Sequence, residues 1–328
     1  MDWRKQSKII LIAFCKSGVL DVSDALPISC IITSYNRRDL LKRAVASVLD
    51  QSRSVAEIIV ADDASTDGSV EFIADLGRRY SNITPVLREQ NIGVAANRDL
   101  AIRQASQPFV THLDGDDLFA PTKIEAEWSA LGGDPDAVAY SYIALITTRM
   151  FLRSSVLDPG LTAEGKKEAV FANFVTRSGP LPRDMLLSKE LYIKAGGMTH
   201  GVALYEDWEF KMRLAAMAHG WRHSRAIGTL YIHQPNSLSH SEPEEHSKWK
   251  RHALESVRKH LSGVLGEDEA QMWMAETSEK SEQWPAPGSR AAAAKHLRKR
   301  WQNQILTHGR FLRLAVQLQS ILTKTAEF

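Results

Sequence analysis

Cysteine is scarce in this chain: Cys15 and Cys30 are the only two in 328 residues. That count excludes a disulfide scaffold, and with Cys30 inside an apolar run it fits a reducing, cytoplasmic compartment. Long apolar runs are missing as well. Ile9 to Phe14 falls far short of the roughly 18 to 20 residues that span a bilayer, and Lys16 breaks it with no small-x-small cleavage pattern following. It reads as an extra strand, a surface segment or a misassigned start. Neither sign of charge dominates, since 41 Lys and Arg against 39 Asp and Glu leave a net +2. With no internal repeat and no nucleic-acid-binding motif, nucleic acid is not an expected partner. A 44% hydrophobic and 8% aromatic composition is enough for one domain of about 240 residues with appendages.

What is present is acid in one place. Asp114-Gly115-Asp116-Asp117 ends the apolar run Phe109-Val110-Thr111-His112-Leu113, so three carboxylates crowd the point where a buried strand should run out. Like charges so close repel, and a cation among their oxygens relieves the repulsion. Short acidic side chains at a strand's carboxyl end suit a hard divalent ion, Mg²⁺ or Mn²⁺, that also ligates a diphosphate. An acidic turn capping the next helix has the same composition. Context decides between them.

Upstream, Ile28 to Tyr35 is rich in β-branched residues, and Leu40, Leu41, Ala44, Val45, Val48 and Leu49 follow with helical spacing. Ile58 to Val60 predicts a second strand, ending in Asp62-Asp63, before the helical pattern Val70, Ile73, Ala74, Leu76. Thr84 to Leu87 predicts a third strand, and Val94 to Ala105 a third helix. This alternation implies a parallel, Rossmann-like α/β sheet flanked by helices, whose ligands collect at the strands' carboxyl ends. Tyr35, Asp63 and Asp114 all fall on that edge.

Five segments, TSYNRRDLLKRAVASVLDQ, EIIVADDASTDGS, NIGVAANRDLAI, FVTHLDGDDLFAPTKI and ALYEDWEFKMRLA, resemble in order and spacing the motifs of the family 2 glycosyltransferases with the GT-A fold. The resemblance runs from about Ile28 to Ser239, about two thirds of the chain. It implies an inverting, metal-dependent transfer of a sugar from a nucleotide diphosphate donor, a UDP-sugar above all, to an acceptor hydroxyl. The setting it implies is bacterial surface polysaccharide or glycolipid assembly, with a glycan or lipid-linked acceptor. A nucleotidyltransferase would carry a glycine- and arginine-rich phosphate loop, which TSYNRRD lacks. A non-catalytic nucleotide-sugar-binding protein would have lost the metal or base carboxylates, and both are present.

On residues, the resemblance implies Tyr35 stacking on the nucleotide base, with Thr33 lining the same end. Asp63 accepts a hydrogen bond from the base, although Asp62 could do so instead or cap the following helix. Arg98 stands near the base and phosphates, followed by Asp99 where the family more often has asparagine. Asp116 is the implied metal ligand, with Asp114 nearer the ribose or sugar, Asp117 a second contact, and Gly115 allowing close backbone approach. Asp207 is the implied general base and Glu206 its orienting or acceptor-binding neighbour, at the start of a segment whose Trp208, Phe210, Leu214 and Met217 predict an amphipathic helix. His233 is a candidate contact to metal or diphosphate, four residues before Ser237 where three is the commoner spacing.

The expected organisation is an N-terminal extension over residues 1–26 and a GT-A domain over 27–240, its nucleotide-sugar half ending near 120. A helical extension over 241–282 follows, then a linker and basic helical tail over 283–328. From Arg290 to Phe328 that tail sets eight Lys and Arg residues against Glu327 alone, a pattern for peripheral contact with an anionic membrane or for a helix packed on the catalytic domain with a solvated basic face. Asp134 to His200 is where acceptor recognition is expected, with Tyr140, Tyr142, Arg149, Arg153, Arg183 and Asp184 as unassigned candidates.

Overall fold

The computed structural model describes residues 25–146, 155–232 and 243–282. The expectations for the N-terminal extension, Arg149, Arg153, His233 and the basic tail lie outside the described residues.

Residues of alternating strand and helix character build the first half. β1 (Leu26–Ser34), α1 (Arg38–Leu49), β2 (Val55–Asp62), α2 (Ser69–Arg79), β3 (Ile83–Leu87), α3 (Val94–Gln104) and β4 (Phe109–Asp114) follow one another. They lay down the parallel order β3-β2-β1-β4. β1 is buried on both faces, as its unbroken Cys30-Ile31-Ile32 run requires. Leu41, Val45 and Val48 of α1 and Ile73 and Leu76 of α2 close one side of the sheet. Each such side chain contributes about 1.5–3 kcal/mol relative to exposure. The register sets Ser34 beside Asp62 and Thr33 beside Asp114, so the strand ends come level at one edge.

The second half makes the sheet mixed. β5 (Leu118–Phe119), α4 (Lys123–Leu131), β6 (Ala137–Ile146), β7 (Ser155–Leu157), α5 (Gly160–Ala163) and α6 (Lys167–Thr176) lead to β8 (Leu186–Ser188). β8 runs antiparallel between β4 and β6. After α7 (Lys189–Lys194) and α8 (Glu206–Met217), β9 (Gly220–Ile232) pairs parallel with β6. Among the described residues nine strands form one sheet flanked by helices.

α8 departs from its expected amphipathic character, because every residue from Trp208 to Met217 is buried, charged ones included. Its charges are satisfied within the fold. Arg213 donates to Glu209 at 2.5 and 2.8 Å, to the Gly197 carbonyl at 2.6 Å and to the Ala195 carbonyl. α9 (Pro243–Leu265) and α10 (Glu267–Glu282) cover the outer side. Their Ala253, Val257, Leu261, Ala270 and Trp273 join the same core as α6 and α8, with Trp273 packed edge-on against Phe171 at 5.0 Å.

One buried ion pair stands under this half of the sheet. Lys123 Nζ lies 2.6 Å from Glu127 Oε2, both fully buried, and Thr111 and Ser141 complete the hydrogen bonding. Removing one partner leaves an uncompensated buried charge, so Lys123→Met should lower stability by about 3–5 kcal/mol, and adding Glu127→Leu should recover most of that. Urea midpoints of the two variants test this; equal losses in single and double variants would show that the pairing is not what the structure needs.

Candidate active site

At the carboxyl edge of β1, β2 and β4 the fold encloses a cleft of about 810 Å³, within the usual range for small-molecule sites. Thr33, Tyr35, Asp63, Arg98, Asp114, Gly115, Asp116, Glu206 and Asp207 all line it. His233, the tenth residue singled out in the sequence, lies outside the described residues.

The floor is set by backbone contacts. Gly115 N donates to the Thr33 carbonyl at 2.9 Å, and a Cβ on Gly115 would stand 2.7 Å from that same oxygen. Glycine is therefore required here by the approach of loop to strand. The loops after β1 and β2 are tied together by Asn36 N to Ser65 Oγ and Thr66 N to Asn36 Oδ1, both 2.8 Å. Tyr35 follows β1, stands 49% exposed and lines the cleft. Asp63 accepts from Ile92 N at 2.8 Å and Gly93 N at 2.9 Å, which pins the third loop and leaves each oxygen a further lone pair. Asp62 is fully buried and accepts from Ser65 N at 2.7 Å. The acid that serves the start of α2 is Asp67, which accepts from Ser69 N and from Arg38 N.

The acidic loop is neutralised from two sides. Arg98, buried on α3, donates to Asp114 Oδ1. Arg183 donates to Asp114 Oδ2 at 3.1 Å and to Asp117 Oδ2 at 2.9 Å, with its guanidinium 4.3 Å from the Tyr231 ring. Burial would raise the Asp114 carboxyl, but Arg98 and Arg183 outweigh it and hold the group at about 2. Asp117 also accepts from Ile232 N at 2.9 Å, and burial pushes its carboxyl well up. Asp117 thus ties the acidic loop to Arg183 and to the end of β9.

Asp116 is different. Among the described residues no Lys or Arg pairs with it, and burial together with the Asp114 charge raises its carboxyl. No group of three or more His, Cys, Asp or Glu side chains among the described residues could cage an ion. One repelled, unpaired carboxylate facing a cleft does fit Mg²⁺ or Mn²⁺, which take one or two protein carboxylates and complete their shell with water and substrate phosphates.

Asp99, the departure from the family pattern, serves a structural network. It accepts from Tyr192 Oη at 2.8 Å, Arg103 Nε at 2.8 Å and Met198 N at 3.1 Å, and meets His200 Nε2 at 2.9 Å. The loop so held puts Met198 against Arg98.

At the opposite wall, Tyr205 in the left-handed region (φ 69) delivers Glu206 and Asp207 into the first turn of α8. Asp207, its side chain 48% exposed, pairs with buried Lys211 at 2.7 Å. Burial opposes ionisation of Asp207, but Lys211 dominates and keeps it far below the usual carboxylate range. Glu206 is pushed up to about 7 by burial and by the Asp207 charge.

Arg183 and Asp184, candidates without a role in the sequence, both line the cleft; Asp184 (φ 48) accepts from Thr229 Oγ1 at 2.7 Å. Tyr140 is instead core, and the Tyr142 ring meets that of His223 at 4.4 Å, tilted by 60°. Arg177, Lys211, Tyr231 and His246 also line the cleft. Arg177, Tyr231 and His246 lie far apart in sequence, in segments without a motif, while Lys211 sits inside the fifth segment, ALYEDWEFKMRLA. The Arg183 bridge is testable by a double-mutant cycle: Arg183→Met should destabilise by about 3–5 kcal/mol and Asp117→Asn should rescue part of it, whereas strictly additive effects would remove the bridge from the account.

Residues 29–169 match the family described as Glycosyl transferase family 2. The chain is similar to a cholesterol galactosyltransferase of Borreliella burgdorferi, 26% identical over 204 residues covering 59% of this chain and 56% of that protein. It is also similar to the succinoglycan biosynthesis protein ExoU of Rhizobium meliloti, 30% identical over 219 residues covering 64% and 63%. The chain spans less than two thirds of the length of these curated relatives. In fold it resembles S. aureus TarS 1-349 in complex with UDP-GlcNAc, with a TM-score of 0.65 at 17% identity over 85% of this chain and 79% of that one. The α/β architecture is thus of the GT-A type.

Proposed function

Because the chain belongs to glycosyl transferase family 2, we propose that it moves a sugar from a nucleoside diphosphate donor, a UDP-sugar above all, to an acceptor hydroxyl with inversion. The observation that carries this reading is the lining of one cleft: Tyr35 and Asp63 for a base, Arg98 and Asp116 for a diphosphate, and Glu206 with Asp207 for an acceptor. The UDP-GlcNAc held by the TarS structure supports the donor class. The names of the galactosyltransferase and ExoU support glycolipid or polysaccharide assembly as the setting.

In the proposed reaction the acceptor oxygen attacks the anomeric carbon from the face opposite the diphosphate. A carboxylate takes the hydroxyl proton, and the bond from the anomeric carbon to the phosphate oxygen breaks. A single displacement needs one base and no sugar–enzyme bond, which inverts the centre. Asp116 would hold Mn²⁺ or Mg²⁺, with His233 a further candidate; when bound, the ion neutralises charge on the departing diphosphate. Arg98 adds a fixed positive charge, kept ionised against the effect of burial by Asp114 and Glu206. Among the described residues no helix is long and apolar enough to cross a membrane; the basic tail is the segment proposed to meet a lipid-linked acceptor.

Nucleoside diphosphate affinity should depend on Mn²⁺ or Mg²⁺, and Asp116→Ala should abolish the metal-dependent part. Calorimetry with and without chelator decides it: identical affinities for the unaltered protein in both conditions remove the metal.

Asp207 is the proposed base, and its replacement by Asn should lower kcat by about 10² to 10⁴ while leaving donor binding intact. Glu206 is a second reading, favoured by a carboxyl near 7 that matches the working range of a general base. A base must be deprotonated, so with Glu206 in that role kcat/KM rises with pH through about 7 and Glu206→Gln removes the rise. With Asp207, whose carboxyl is ionised throughout, kcat/KM shows no limb near 7.

A further inference from the structure

The first turn of α8 carries Glu206 and Asp207 yet begins without a cap of its own. Tyr205 occupies the cap position with left-handed backbone, φ 69 and ψ 16, and no side-chain hydrogen bond caps the helix. Helices usually start at a Ser, Thr, Asp or Asn that fixes the entering chain. A tyrosine keeps left-handed backbone only where its surroundings over-determine it. The Tyr205 carbonyl nevertheless accepts the first bond of the helix, from Glu209 N at 2.9 Å. The turn is therefore held by contacts from beyond the local chain.

Those contacts grip the Tyr205 side chain. Tyr205 Oη meets His246 Nδ1 at 3.0 Å, and the two rings stand edge to face with centroids 5.7 Å apart. Trp208 packs against the same tyrosine ring at 5.5 Å, and the Arg177 guanidinium carbon lies 5.4 Å from it. Trp208 is pinned in turn by its indole N–H, which donates to the Phe174 carbonyl at 2.6 Å. Among the described residues, His246 is the hydrogen-bond partner of the tyrosine hydroxyl. It comes from α9, which lies beyond the family-matched residues 29–169. α9 does not need this contact for its own place: Ala253, Val257 and Leu261 sit in the core, and Ser256 Oγ donates to Glu209 Oε1 at 2.8 Å. A helix anchored elsewhere thus reaches the one residue that leads into the carboxylate turn, and both Tyr205 and His246 line the cleft.

We propose that His246 is a positioning residue: through the Tyr205 hydroxyl it fixes the left-handed entry to α8 and so sets where Glu206 and Asp207 stand in the cleft. This rests on the glycosyltransferase reading for the role of the two carboxylates, but the coupling from α9 to the turn is separately measurable. With the hydroxyl released, the Tyr205 backbone is free to relax toward the right-handed region, which swings the first turn and its carboxylates. A displacement of about 1 Å at a reacting group can cost about 10²-fold in rate.

The test uses the whole chain with Tyr205→Phe, which deletes the hydroxyl alone, His246→Leu, which deletes the ring nitrogens, and His246→Gln, whose amide still meets a hydroxyl. Hydrogen exchange of the Glu209 amide, followed by NMR without ligand, reports the first bond of α8. Release of UDP from UDP-GlcNAc, UDP-galactose and UDP-glucose in Mn²⁺, with water as the acceptor, reports turnover, and calorimetry gives UDP affinity. Tyr205→Phe and His246→Leu should each speed Glu209 exchange by about 10-fold or more and lower kcat by about 10-fold. UDP affinity and exchange of the Val257 amide should stay unchanged, which also shows that the variants fold, and His246→Gln should restore most of both losses. Because each substitution removes the same interaction, the double variant should be no worse than either single one. Full Glu209 protection in Tyr205→Phe and His246→Leu overturns the proposal, as do losses that multiply in the double variant or faster exchange with kcat unchanged. If the unaltered protein turns over none of the three donors, the transfer reading loses its support, while Glu209 exchange still decides whether α9 holds the turn.

Discussion

Two guanidinium groups closing on one carboxylate hold this site together. Arg98 comes from α3 and Arg183 from the segment before β8, and both reach Asp114 at the end of β4. One contact fixes a helix of the parallel half to the sheet, and the other fixes the antiparallel insertion to the same strand end. Arg183 extends the bridge to Asp117, whose second oxygen accepts from the backbone of β9. The acidic loop therefore keeps its shape on internal cations. Among the described residues Asp116 stays outside these ion pairs. In a medium of lowered dielectric such pairs are strongly felt when broken, so the loop is positioned before any substrate arrives.

The same logic runs through α8. Glu209 and Arg213 are satisfied inside the fold and anchor the Ala195–Gly197 turn, while Glu206 and Asp207 on the first turn face the cleft. Their environments drive them apart, Asp207 down through Lys211 and Glu206 up through burial and its neighbour. Pairs of titratable groups separated in this way mark acid and base positions. Rigid walls also suit the proposed transfer, in which an acceptor hydroxyl would meet the anomeric carbon at a defined angle, since positioning carries a large share of the barrier lowering.

The parallel half was legible in the sequence because its central strands β1, β2 and β4 are largely buried and read as apolar runs between helical repeats. Ile28 to Ser34, Ile58 to Asp62 and Phe109 to Asp114 carry that pattern, and their polar residues mark the ends. β8 has only three residues, and its place between β4 and β6 follows from a return of the chain that no local pattern announces. α8 reads as amphipathic from the spacing of Trp208, Phe210, Leu214 and Met217, whereas Glu209, Lys211 and Arg213 between them are buried too and find partners within the protein.

Sequence alone was enough to group Tyr35, Asp63, Asp114, Asp116, Glu206 and Asp207, because strand-end position and motif order are local properties that survive without coordinates. Only the tertiary structure decided their electrostatic states. Which carboxylate is paired, which is repelled and which is raised toward neutrality depends on Arg98, Arg183 and Lys211 and on burial by α8 and α9. Charge interactions act through space over a few ångströms and take no account of distance along the chain.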